Sequence, residues 1–95
     1  MAGRIDGQVV SISESGNLVT DITADQLTSV PRDDQVTIRC DEHETLGIFE
    51  GDHEQPAFTL IAVLGGSGCL ELEVVGDSAK MMLGVSVGEK VEVHW

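Results

Sequence analysis

Two short clusters in this chain carry residue types that bind metals: Asp41-Glu42-His43-Glu44 and Asp52-His53-Glu54. Zinc accepts carboxylate and imidazole ligands, but it needs several of them converging on one point, and consecutive residues in extended chain point to alternate faces. One such cluster cannot close around an ion, so both read as solvated acidic loops and no metal is expected. Glu71 and Glu73 share a strand face and invite an acid–base reading, yet strands with one wet face carry such pairs routinely. Ser67 sits in Gly65-Gly66-Ser67-Gly68, but a Gly-x-Ser-x-Gly nucleophile elbow needs glycine at position 69, which is Cys. The same turn offers backbone amides to an anion, without a phosphate-loop lysine or a long following helix. The remaining polar group of interest is the amide of Asn17, in the turn Ser13-Glu14-Ser15-Gly16-Asn17. There Gly16 can take a positive φ and Asn17 can present its side chain at a sheet rim. None of these patterns supplies a catalytic residue or calls for a cofactor.

The elements that must position these groups are strands. In GQVVSISESGNLVTDI, residues 7–22, two β-rich runs flank the Gly16-Asn17 turn. Thr23-Ala24-Asp25-Gln26-Leu27 has an N-cap in Thr23 and reads as a single helical or 3₁₀ turn before Pro31. QVTIRC, residues 35–40, alternates cleanly and places Val36, Ile38 and Cys40 on one face. Thr45 to Phe49 is a further short strand, ending at the turn marked by Gly51. AFTLIAVL, residues 57–64, is a nearly continuous apolar run and reads as a core strand buried on both sides or at a barrel centre. It turns through the glycine-rich segment into CLELEVV, residues 69–75. A short helix over residues 78–83 starts at Asp77 or Ser78 and stops at Gly84, and KVEVHW, residues 90–95, closes the chain as a strand. Many short strands with one short helix predict an all-β fold: a small closed or partly closed barrel of antiparallel strands, in which closure leaves few bare edges.

Length and charge bound the function. A chain of 95 residues holds one domain, here residues 1–95, and buries only about 60–65% of its unfolded surface, so self-association would add useful burial. A net charge of −12 with five Lys and Arg excludes nucleic acid and anionic membrane as partners, because both need clustered cations. Arg4, Arg32, Arg39, Lys80 and Lys90 are scattered and read as counter-charges. Cys40 and Cys69 lie in β-type runs and read as reduced core residues. Met81 and Met82 read as packing, and Trp95 as an interface or core edge. With no signal peptide and no apolar run of about 20 residues, a cytoplasmic protein is expected.

Two blocks also resemble a known family. Gly16-Asn17-Leu18-Val19-Thr20 in the first, and Gly68-Cys69-Leu70-Glu71-Leu72, Asp77-Ser78-Ala79, Leu83-Gly84 and Val87-Gly88-Glu89-Lys90-Val91 in the second, are similar in order and spacing to the C-terminal β-barrel domain of the S-adenosylmethionine hydroxide adenosyltransferases, the family of the fluorinases and chlorinases. The resemblance implies a barrel that, in the full enzyme, follows an α/β domain and works as a trimer, with S-adenosylmethionine held between one subunit's N-terminal domain and its neighbour's barrel. It implies adenine contact by Asn17 beside Gly16. Ser13 stands where the family has an aspartate that meets the methionine amino group, Ser15 replaces a stacking aromatic, and Asp21 replaces a second asparagine. Gly66 takes the place of a carboxylate-binding serine, with Ser67 one position later. The α/β domain's acidic residues have no counterpart in this sequence, so hydrolysis by the chain alone is not expected. The expectation is a stand-alone non-catalytic module that self-associates, as a trimer for instance, or docks on a protein partner. The alternative is a subunit that completes an adenosine or S-adenosylmethionine site with a separately encoded catalytic domain.

Overall fold

The computed structural model describes residues 3–49, 55–64 and 67–95. Seven strands follow in order: β1 Arg4–Ile12, β2 Leu18–Thr23, β3 Thr37–Cys40, β4 His43–Leu46, β5 Leu60–Leu64, β6 Cys69–Val74 and β7 Lys90–His94. A 3₁₀ turn at Asp25–Leu27 and helix α1, Ala79–Leu83, complete the described secondary structure. All strand pairs are antiparallel, and the sheet order is β4-β3-β7-β1-β2-β6-β5. The sheet curls until its two ends nearly meet. Thr45 Oγ1 on β4 donates to Leu60 O on β5 at 2.9 Å, and Phe49 runs parallel to Val63 on the free edge of β5. There the Phe49 N–H donates to Ala62 O at 2.8 Å and Phe49 O accepts from Leu64 N at 2.8 Å. The expected barrel of short antiparallel strands with one short helix is therefore the observed fold.

Alternating residues fill its interior. Val9, Leu18, Ile22, Ile38, Leu70, Leu72, Val91 and Val93 are all essentially inaccessible and belong to one apolar cluster, which Leu27, Val36 and Ala79 join from outside the strands. Each such side chain stabilises by about 1.5–3 kcal/mol, which is how a short chain sustains a single core. Val36, Ile38 and Cys40 share the inward face, as their alternation predicts. The 3₁₀ turn is closed by a reciprocal cap. Thr23 Oγ1 accepts from Gln26 N at 3.3 Å while the Gln26 side chain accepts from Thr23 N at 2.9 Å. Helix α1 is capped by Ser78, whose Oγ accepts from Met81 N at 3.4 Å, and ends at Gly84 with φ 66°. Trp95 lies half-buried against the core and bonds through its backbone to Gly3 in both directions, at 2.7 and 3.1 Å. No helix among the described residues is long and apolar enough to cross a membrane.

Several segments depart from expectation. The acidic cluster at residues 41–44 is half strand: Asp41 and Glu42 form a tight turn, Asp41 at φ 56°, and His43 and Glu44 open β4 opposite Cys40 and Arg39. A two-residue hairpin needs left-handed backbone, which aspartate tolerates better than most residues. The apolar run at residues 57–64 forms strand only from Leu60. Phe58 takes φ 66° and is 68% exposed, its N–H tied to Val75 O at 2.7 Å. Strand β5 ends the sheet order rather than lying at its centre, and its inner residues are buried because the Phe49 segment covers its edge. Met81 and Met82 point outward, 82% and 52% exposed, instead of packing. The Gly51 turn and the Asp52-His53-Glu54 cluster lie outside the described residues.

Candidate functional site

The β1–β2 turn is built by its own backbone. Ser13 N donates to Asn17 O at 3.0 Å, Gly16 N to Ser13 O at 2.9 Å, and Asn17 N to Ser13 Oγ at 3.0 Å. Ser13 Oγ also lies 3.0 Å from Ser15 Oγ. Gly16, at φ 89°, is buried under Ser78; a Cβ there would overlap the Ser78 hydroxyl and lie 2.9 Å from its Cα. Its carbonyl accepts from Lys80 N at 2.9 Å. The turn is thereby clamped to the start of α1, and Asn17 is aimed across the rim at β6.

There the Asn17 amide meets two carboxylates. Its Nδ2 donates to Glu71 Oε1 at 3.3 Å and to Glu73 Oε1 at 3.4 Å. Ser67 Oγ, arriving from the β5–β6 turn, donates to Glu71 Oε2 at 2.8 Å. Glu71 is only 8% exposed, so a carboxylate read as facing solvent is covered by an amide and a hydroxyl. Beside this cluster lies an open depression of about 310 Å³ lined by Ser15, Asn17, Glu73, Val74, Gly76 and Asp77. Of the side chains singled out in the sequence, Ser13 caps the backbone of Asn17, Ser67 reaches Asn17 through Glu71, and Asn17 is the one of the three that lines the depression.

A family model, that of the SAM hydroxide adenosyltransferase C-terminal domain, matches residues 7–92. The chain belongs to this family. An uncharacterized conserved protein from Thermotoga maritima has the same fold, with a TM-score of 0.74 at 23% identity over 93% of this chain and 34% of that one. A conserved hypothetical protein from Thermus thermophilus is similar at TM-score 0.71 and 23% identity, with the same two coverages. The chain spans about a third of the length of these two proteins. No curated protein matches it.

As a SAM hydroxide adenosyltransferase C-terminal domain, the chain keeps its asparagine at the rim but surrounds it differently from the pattern the resemblance implies. Ser13 and Ser15 bond each other and the turn backbone. Asp21 accepts from Gln8 N at 3.0 Å and so serves β1. Gly66 lies outside the described residues. Asn17 does not bond its neighbouring backbone through its side chain, as a plain turn residue would; it crosses to another strand. Glu71 escapes sequence reasoning as a site residue because alternation gives only the face of the sheet, and that face is covered here in part by an amide 54 positions away. Its four-residue spacing from Ser67 across a glycine turn is the one local signal.

Elsewhere, His43 Nε2 donates to Leu83 O at 3.1 Å, tying β4 to the end of α1. Among the described residues no group of three His, Cys, Asp or Glu is placed to hold a metal. Both cysteines are free, Cys40 buried and Cys69 half-buried. Burial, with Glu89 and Asp41 nearby, pushes the Cys40 thiol up to about 11, which makes it a poor nucleophile at neutral pH.

Proposed function

We propose that this domain is a non-catalytic β-barrel module that acts by self-association or by docking on another protein. What supports the reading most is the apolar surface of α1 and the loop after it, where Met81, Met82 and Val87 are 82%, 52% and 58% exposed on a chain otherwise strongly charged. Contiguous exposed apolar surface marks interaction sites, and methionine adapts its shape to what covers it. Light scattering on the size-separated protein is expected to give a multiple of 10.1 kDa, a trimer being the multiple that the family resemblance suggests, or else a complex with a captured partner. Met81→Ser with Met82→Ser should dissociate it. A monomer that captures nothing rejects the proposal.

A second reading is favoured by Asn17, which lines the rim depression and is linked through Glu71 to Ser67. In it, the domain completes an adenosine or S-adenosylmethionine site with a separately encoded catalytic domain. The rim and the apolar helix are neighbours, because the Gly16 carbonyl is bonded to Lys80 of α1, so a protein seated on α1 would border the depression. Calorimetry with each ligand, on the domain alone and mixed with a catalytic domain of the family, tests this. Heat that Asn17→Ala abolishes supports it, and no heat in either mixture removes it.

A further inference from the structure

An ionised carboxylate has only lone pairs to offer, so the end of the Asn17 amide that meets both Glu71 and Glu73 has to be its NH₂. Both hydrogens of that group are thereby committed to β6. The carbonyl end, Oδ1, is what Asn17 retains for the depression it lines. Two of the neighbouring lining side chains act in the same sense. Glu73 and Asp77 are carboxylates, with Asp77 Oδ1 already accepting from Ser78 N at 2.7 Å, and the Ser15 hydroxyl is engaged with Ser13. Three of its lining side chains, Asn17, Glu73 and Asp77, therefore present acceptors, and a ligand group that meets them has to donate. Of the two carboxylates, Glu71 is the anchor: it is the buried one, and Ser67 holds its second oxygen at 2.8 Å. A chain of bonds, Ser67 to Glu71 to Asn17, thus links the β5–β6 turn to the β1–β2 turn.

We infer that Glu71 is a positioning residue, which fixes the Asn17 amide with its carbonyl towards the depression and so makes the rim select an N–H donor, such as the exocyclic amino group of a nucleobase, over an acceptor such as a ring carbonyl. This rests on the second reading above, and two measurements separate the two. The first needs no ligand. In nitrogen–proton correlation spectra the Asn17 side-chain NH₂ pair, assigned by its loss in Asn17→Asp, is expected to exchange with water more slowly than exposed asparagine amides, and Glu71→Gln with Glu73→Gln should abolish that protection. The paired glutamines keep the shape of the site but can donate as well as accept, so they no longer dictate the amide's orientation. The second is calorimetry with adenosine and with inosine, which present a 6-amino and a 6-oxo group on the same ribose. The native domain, mixed with a catalytic domain, should prefer adenosine by about tenfold or more, and the double variant by no more than about threefold. Fast exchange of the Asn17 pair in the native protein overturns the positioning role. Protection with equal binding, or with inosine preferred, overturns donor selection alone. Protection with neither nucleoside bound leaves Glu71 as the anchor and removes donor selection together with the second reading.

Discussion

Strand β2 is held in the sheet differently from strands β3 and β7. The β1–β7 ladder runs through five consecutive pairs, and β3–β7 and β3–β4 through four each, so that side of the barrel is held by uninterrupted backbone ladders. Both ladders of β2 are interrupted, between Val9 and Ser11 towards β1 and between Val19 and Thr23 towards β6. Side chains fill the gaps. The Thr20 hydroxyl, fully buried, donates to Leu70 O at 2.7 Å and accepts from Ile22 N at 3.2 Å, and the Asp21 carboxylate takes Gln8 N. Where register lapses, identity at single positions matters more, and here the lapse adjoins the rim.

The interrupted side is most constrained at Gly16. Gly16→Ala forces a Cβ into Ser78 at a positive φ, and should lower unfolding free energy in urea by about 3 kcal/mol; a loss below about 1 kcal/mol would mean that the turn is not clamped to α1. Thr20→Val leaves a buried carbonyl and a buried N–H without the hydroxyl, at a cost of about 2 kcal/mol, whereas Thr37→Val in the regular ladder should stay within about 0.5 kcal/mol. Equal effects at the two threonines would erase the difference between the two sides.

The regular side has its own weak point in Cys40. Its folded thiol keeps its proton up to about pH 11, while an unfolded thiol loses it near 9.0, so unfolding releases a proton above that pH. Stability should be complete below pH 9.0 and fall by roughly 1–2 kcal/mol on approaching pH 11, and Cys40→Ala should flatten the slope in an alkaline denaturation series. The smallest effect is expected from Arg4→Ala. Arg4 bonds Asp6 at 2.8 Å and Glu92 at 2.5 Å, but it is half-exposed and its pairs are screened by solvent, so its loss should leave the midpoint of urea denaturation unchanged within error.

The regular side is also the more legible in the sequence. Val36, Ile38 and Cys40 follow strict alternation, and Ser78 and Gly84 bracket α1 as capping chemistry dictates. What escapes is non-local. Alternation places Glu71 on the outer face but cannot show that Asn17 and Ser67 cover it, since sequence pattern carries no information about what arrives from 54 positions away. Phe58 is misjudged because a nearly continuous apolar run conceals the residue at which backbone turns outward. Met81 and Met82 are misjudged because a helix of five residues has too few turns to define a buried face. The family pattern locates Asn17, yet the change in its surroundings emerges only from the distances.

The reciprocal bonds between Gly3 and Trp95 set the two described ends of the barrel side by side. Such a molecule is a natural subject for circular permutation. Residue 95 can be joined to residue 3 by a short glycine linker and the chain reopened between Asp41 and Glu42, at the tip of an exposed hairpin. The rearranged protein would keep every ladder while β4 became its first strand. Its ends would then lie at the tip of the β3–β4 hairpin, beside the end of α1 that His43 bonds, so that a fused partner would be presented next to the exposed methionines of that helix.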